Sequence, residues 1–399
     1  GAILVLCFSN LILLQKIFIN ADLKKINQNY SFYKYLSLFI FIFINIFFYR
    51  IAEHGTDRSA QILVFILFIE MIYFLNINKI NTKNFIHLFL ILGLIISFKA
   101  FYILYLILLI PIFIHLFKIE KKLKKIINFL INQKFLIFFT LLILLVLLIN
   151  LLNTGCFVYP VYFTCFENLS WAIPMEEVKK MNNWYELWSK AGAGPNFRIE
   201  NSENYIQFFN WVENWSKIYF FNKISDLILG LTLMCLILFI FFNKNSSKKN
   251  NFKKINNLKY IYLVILILLF EWFYNHPALR YGGYSLIVLL IAIPISNHLY
   301  SRQIQFKKFL KRAKIIVLIT FIVFFGRNFD RINDEYNKYS FNPFKNSFYD
   351  TNENNFKIEN KIDKILKKNM ICKNEMNVDE CLVKINKSSK KFNFIIIEN

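Results

Sequence analysis

Residues 260–296 read YIYLVILILLFEWFYNHPALRYGGYSLIVLLIAIPIS. Two apolar runs flank a polar insert, Tyr274–Ser285, and each run is long enough to cross much of a bilayer. A tight reversal between them uses Gly282 and Gly283. It has no need of His276 or Arg280, so the insert is also a place to look for chemistry.

Apolar runs recur along the whole chain: 56% of its 399 residues are hydrophobic and 47 are Phe. In hydrocarbon only a helix satisfies its own backbone, so such runs predict membrane helices. Spans are read at 2–19, 35–50, 61–76, 85–98, 101–117, 135–152, 223–242, 260–274, 281–296 and 315–326. The expected fold is an all-α polytopic membrane protein with about ten transmembrane helices in this chain.

The net charge is +23, and its placement points to topology rather than to nucleic acid as a partner. The connections 21–34, 76–84, 118–134, 244–259 and 301–314 hold three, two, six, six and six Lys or Arg. The short loops between them hold only Arg50, Arg58, Lys99 and Arg280. By the positive-inside rule the basic set is cytoplasmic, where it meets anionic lipid headgroups. Residues 85–117 would otherwise form one long helix with Lys99 at its middle. Basic loops lie on both sides of that stretch, so an even number of crossings must separate them. A re-entrant pair turning near SFKAF, residues 97–101, is expected, with Lys99 reaching the outer surface.

The outer side then collects the unusual residues. Cys156 with Cys165 and Cys372 with Cys381 each enclose eight residues there, and an oxidising compartment allows disulfides; four independent thiols are the alternative. Cys7 and Cys235 fall within spans as small apolar residues. The chain divides into membrane helices at 1–152, an outer loop at 153–222, membrane helices at 223–326 and an outer soluble tail at 327–399. It begins at Gly1 directly in apolar sequence, which reads as a fragment lacking an odd number of upstream spans.

The outer loop carries Trp171, Trp184, Trp188, Trp211 and Trp215. Pro174 opens a helix, PMEEVKKMNNWYELWSKA, that ends at the flexible AGAGP of 191–195. Asn201 or Ser202 caps a second, ENYIQFFNWVENWSKIYFF, whose apolar face holds Phe208, Val212, Trp215 and Tyr219. Such helices lie flat on the membrane surface, anchored by their rings. In the functional reading Trp171, Trp184 and Trp188 stack on sugar faces, and Gly192 and Gly194 hinge a lid; in the plainer one the rings are anchors and the glycines join two helices.

Two stretches hold groups fit for chemistry. In EHGTDRSAQ, residues 53–61, Asp57 caps the following helix, or Asp57 or Glu53 works as a general base. Arg58, with His54 and Arg50 beside it, would meet a phosphate, since guanidinium binds phosphate oxygens bidentately. In the opening insert, Arg280 either pairs with Glu271 or joins His276 in stabilising a phosphate leaving group. Asp226, at the outer start of its span, fits either arrangement. Glu70, in mid-span, is read as a buried partner between helices. No GxGxxG, Walker, HExxH or CxxC pattern occurs, so no nucleotide cofactor or metal is assigned. The tail contains a helical NKIDKILKK and a strand-like KFNFIIIEN, which predict a small α+β appendage.

The arrangement of many spans, amphipathic helices in a long outer loop and an outer C-terminal part resembles bacterial GT-C glycosyltransferases. EHGTDRSAQIL, TGCFVYPVYFTCFENLSW and HPALRYGGY are also similar to stretches of a family of bacterial membrane proteins near that superfamily. The resemblance implies an inner-membrane enzyme with a polyprenyl-phosphate sugar as donor and an envelope glycan, lipid or protein as acceptor. The outer loop and tail would then be periplasmic. It further implies a catalytic acid in the first outer loop, which here would precede Gly1, so Asp57 stands in without a mapped position. An O-antigen-type polymerase or ligase, or a flippase of lipid-linked sugars, is the alternative.

Overall fold

A computed structural model describes residues 1–18, 30–50, 55–76, 82–121, 134–194, 197–242, 258–301, 306–339, 384–386 and 396–398. The chain forms two compact units, Gly1–Phe325 and Gly326–Asn399. The first is built of helices: α1 (Ala2–Phe18), α2 (Tyr30–Phe47), α3 (Asp57–Leu75), α4 (Thr82–Phe98), a 3-10 helix Ala100–Leu108 running into α5 (Leu109–Glu120), and α6 (Lys134–Thr154). Then come α7 (Met175–Ser189), α8 (Ser202–Ile206), α9 (Val212–Trp215), a π-helix Ser216–Ile224 and α10 (Ser225–Phe242). α11 (Leu258–Asn275), α12 (Gly283–Ser301) and α13 (Phe306–Tyr339) follow, the last continuing into the second unit.

Among the described residues six helical stretches are long and apolar enough to cross a membrane, as in an integral membrane protein: 57–75, 101–119, 136–154, 212–242, 258–275 and 283–301. Three apolar helices are shorter: Ala2–Phe18, Phe32–Phe47 and Phe85–Phe98. Thus six, not ten, of the expected spans meet that test. The stretch 315–326 fails because it is the middle of a 34-residue helix with polar ends.

α3 is the hub, with 78% of its span buried among the other helices, whereas α6 is only 6% buried and exposes Leu141, Leu144, Leu148 and Leu152. Polar residues tie the hub's neighbours together. Lys16 of α1 pairs with Glu70 of α3 at 2.6 Å, and the amides of Asn10 and Asn45 bond each other.

The chain turns back at Lys99, within the 97–101 stretch where a reversal is expected from the sequence. The Lys99 backbone is extended, and α4 and α5 leave it as two antiparallel arms. Thr56 donates to the Phe98 carbonyl at that end, while Phe74 packs on both Phe85 and His115 at the other. Helix ends next to the basic connections gather at that second end: Lys118 meets Tyr260, Tyr35 packs on Phe242 and Phe309, and Arg312 donates to the Phe241 carbonyl.

The segment 153–222 folds largely by its capping signals. α7 starts directly after Pro174, with Glu176 and Glu177 in its first turn. Asn201 caps α8 through its side chain, which accepts from the Asn204 backbone. The predicted single helix from 202 is broken, however. Phe208 adopts φ +47°, α8 ends at Ile206, and helix resumes only at Val212, to run unbroken through the π-turns into α10. Phe208 is accordingly exposed and leaves the apolar face on which Trp215 stays buried.

Gly192 is a close-packed position. A Cβ there would lie 2.4 Å from Leu187 and 2.6 Å from Tyr205. Gly194 belongs to a two-residue strand, β1 (Ala193–Gly194), paired with β2 (Phe197–Arg198). In the second unit β3 (Lys384–Asn386) pairs antiparallel with β4 (Ile396–Glu398). NKIDKILKK, Cys372 and Cys381 lie outside the described residues. Cys156 and Cys165 form a disulfide.

Candidate functional site

The end of the bundle opposite the basic connections is organised around Asp57. This residue is the first of α3, the N-cap position being Thr56, and it is buried. One carboxylate oxygen meets the Lys99 ammonium and the other accepts from Arg280 Nε at 2.9 Å. Two cations close to one carboxylate neutralise it and are themselves fixed by it. The Tyr281 ring lies under both, 4.6 Å from Lys99 Nζ and 5.4 Å from the Arg280 guanidinium, and Trp188 covers Arg280 at 5.5 Å.

The Glu271–Arg280 pair, one of the two alternatives for Arg280, is not formed. Glu271 instead accepts from Asn275, one turn along its own helix, at 3.1 Å. The 3-10 turn Leu279–Tyr281 carries Arg280 back over the bundle end to α3, and buried side chains hold it there. Gln61 donates to the Arg280 carbonyl at 2.8 Å and accepts from the Ser285 backbone at 3.2 Å. Trp272 donates to the Ala278 carbonyl at 2.9 Å, Trp215 to the Pro277 carbonyl at 3.2 Å, and the Leu279 N–H to the Tyr219 hydroxyl at 2.9 Å. A buried loop must satisfy its backbone groups, and here the partners come from α3, α11 and the α9–π helix. Gly282 permits the reversal with φ +105°, and Gly283 lets α12 close on α11, since a Cβ there would sit 2.5 Å from the Trp272 ring.

Beside the cluster is a cavity of about 510 Å³. Lys99, Arg280, His276 and Tyr281 form one wall, and Asn182 and Tyr185 of α7 another. The disulfide-closed loop contributes Val158–Val161, and α6 contributes Val146, Ile149 and Asn150. The cavity therefore has cations on one wall and is apolar where it borders α6.

His276 is not a cation in this setting. Burial, with help from Lys190 and Lys99, pushes its pKa down to about 4. Its Nδ1 lies 3.4 Å from Ser189 Oγ, whose own proton goes to the Glu186 carbonyl at 2.8 Å. Ser189 can then only accept from the ring, so Nδ1 carries the proton and Nε2 keeps a free lone pair. Lys190 is buried beneath, bonded to Glu186 and to the Ile206 carbonyl, with burial lowering its pKa against the pull of Glu186.

The other sequence-derived residues fall away from this cluster. Arg58 donates to the Arg50 carbonyl and lies over Phe48. Trp184 carries Arg198 on its face, and Trp171 is half exposed, bonded to the Leu151 carbonyl. Of the three proposed stacking rings, only Trp188 reaches the site. Trp211 and Trp215, expected at the membrane surface, are core residues. Asp226 sits in the first turn of α10, and Arg280 bonds Asp57 instead of it. Glu53 and His54 lie outside the described residues.

Sequence reasoning missed Gln61 and the use of Lys99 as a partner. Asp57 and Gln61, four apart and so on one face at the start of α3, were the available signal for the first. No curated protein and no solved structure matches the chain. A family profile matches residues 4–288, a range that contains Asp57, Gln61, Lys99, His276 and Arg280, and the chain belongs to that family, DUF8201, a domain of unknown function.

Proposed function

We propose that this cavity binds a polyprenyl-phosphate-linked sugar and that the protein transfers the sugar to an envelope glycan, lipid or protein. The supporting observation is the convergence of Lys99 and Arg280 on Asp57 at the wall of a cavity that is apolar on its membrane side. The lipid phosphate is held by the two cations, the isoprenoid chain lies along α6, and the neutral Nε2 of His276 accepts a hydrogen bond from a sugar hydroxyl. The acceptor oxygen bonds to the anomeric carbon as the carbon–phosphate oxygen bond breaks. The electron pair leaves on polyprenyl phosphate, and the acceptor's hydroxyl proton passes to a base. Asp57, with both oxygens on cations, is assigned to positioning them, which leaves Glu53 as the acid to test for that base. In this reading about ten segments cross a bacterial inner membrane, the basic ends are cytoplasmic, and the cavity, loop 153–222 and a small α+β tail are periplasmic.

The test is transfer from a polyprenyl-phosphate sugar by the protein in vesicles. Arg280→Ala and Lys99→Ala should each lose transfer by on the order of a hundredfold while the protein stays inserted. Full transfer by both variants would overturn the assignment. A polymerase or ligase would use the same cavity with a different acceptor. A flippase needs an available charge at mid-membrane, and the pairing of Glu70 with Lys16 speaks for transfer over transport.

A further inference from the structure

We propose that the end of the bundle opposite the Asp57 cluster holds a binding site for the headgroup of an anionic phospholipid. A second cavity, of about 500 Å³, lies there between the last turn of α10 and the start of α13. Ile240 and Phe241 line it from α10; Lys308, Lys311, Arg312 and Ile315 line it from α13. The spacing of 308, 311 and 312 puts the three cations on one face of the helix. They stand in its opening turns, where the aligned peptide dipoles already present positive charge and where the first turn contains no acidic residue. Such a grouping is self-repelling unless an anion joins it. Among the described residues none of the three pairs with a carboxylate.

Depth and polarity choose the occupant. The apolar run of α10 ends at Phe242, and that of α13 begins at Ile315, so the cations lie just outside the apolar slab, at headgroup level. Ile240 and Ile315 stay exposed and offer a greasy wall for acyl chains. A free phosphate would use the cations only, whereas a phospholipid uses both halves of the groove. Arg312 already donates to the Phe241 carbonyl, which fixes the two helices as the frame of the site and leaves its remaining N–H groups for a phosphate. This inference does not depend on the transfer reading.

The full chain, extracted from nanodiscs of phosphatidylcholine doped with phosphatidylglycerol, can be examined by native mass spectrometry for retained lipid. Wild type should retain phosphatidylglycerol in preference to phosphatidylcholine, and added inorganic phosphate should not displace it. Lys308→Ala with Lys311→Ala, leaving the structural Arg312 in place, should weaken retention roughly thirtyfold, about fivefold for each lysine. The control pair Lys179→Ala with Lys180→Ala, on α7, should leave it unchanged. Equal retention by wild type and the Lys308/Lys311 variant would overturn the proposal, as would equal loss in the control or displacement by inorganic phosphate.

Discussion

Asp57, Arg280 and His276 stand out in the chain because they interrupt apolar sequence, and a charge in such a setting needs a partner. Which partner it finds is a different matter. Glu271 is nine residues from Arg280, yet Arg280 crosses to Asp57, 223 positions away, because Gln61 and two indoles pull its loop over α3. No local spacing encodes that choice. Removing the carboxylate leaves two cations facing each other, so Asp57→Ala should cost about 2–3 kcal/mol. That is less than a fully buried pair because Lys99 and Arg280 remain partly exposed. Thermal unfolding in detergent would check it, and a variant as stable as wild type would contradict the pairing. His276 gives a pH signature. It stays neutral in the fold down to about pH 4, whereas the unfolded chain takes up a proton below its ordinary 6.5. The contribution is therefore complete above pH 6.5 and falls as pH drops from 6.5 towards 4, by about 2–3 kcal/mol. Melting curves at stepped pH should show this limb in wild type and a flatter one in His276→Asn.

At the scale of elements, capping and turn chemistry were legible: Pro174, Asn201 and the glycines of 282–283 all sit where their backbone preferences place them. The break after Ile206 was not. A continuous 3.6-residue pattern runs through 202–220, and only tertiary packing reveals that Trp211 and Trp215 need to face the core while Phe208 turns outwards. The indole of Trp215 is a strut for the Arg280 loop, so Trp215→Phe should keep the ring packing but strand the Pro277 carbonyl, costing about 1–2 kcal/mol. Its check is faster hydrogen exchange confined to 275–282. The disulfide does similar work on the far wall of the cavity. Cys156→Ser with Cys165→Ser should lower stability by about 2.5 kcal/mol on the loop-entropy argument, and should loosen Val158–Val161 without unfolding the helices. Limited proteolysis of 157–164 would report it.

For the molecule as a whole, lysine placement carried the most information. It led to the expectation of a reversal near Lys99, and the chain does double back there so that Asp57 gains its second cation. Span counting carried less, because short apolar helices such as α1 and α4 are stabilised by neighbours rather than by length. With Cys7, Cys235, Cys372 and Cys381 replaced by serine, Asn168→Cys should react with an impermeant maleimide in intact cells. Ser301→Cys should react only after permeabilisation. The reverse pattern would invert the assignment of sides.

One of these helices has a further bearing on the cavity. α6 supplies part of its wall and is otherwise braced within the protein against α4, where Phe139 packs on Phe89 and beside Gly93, while only 6% of its span is buried. A partition bathed in hydrocarbon on its outer side and only lightly braced within can yield sideways. Under the transfer reading proposed above, a donor bearing a long isoprenoid chain would have a doorway through the flank of the bundle, and would never need to lift that tail into water.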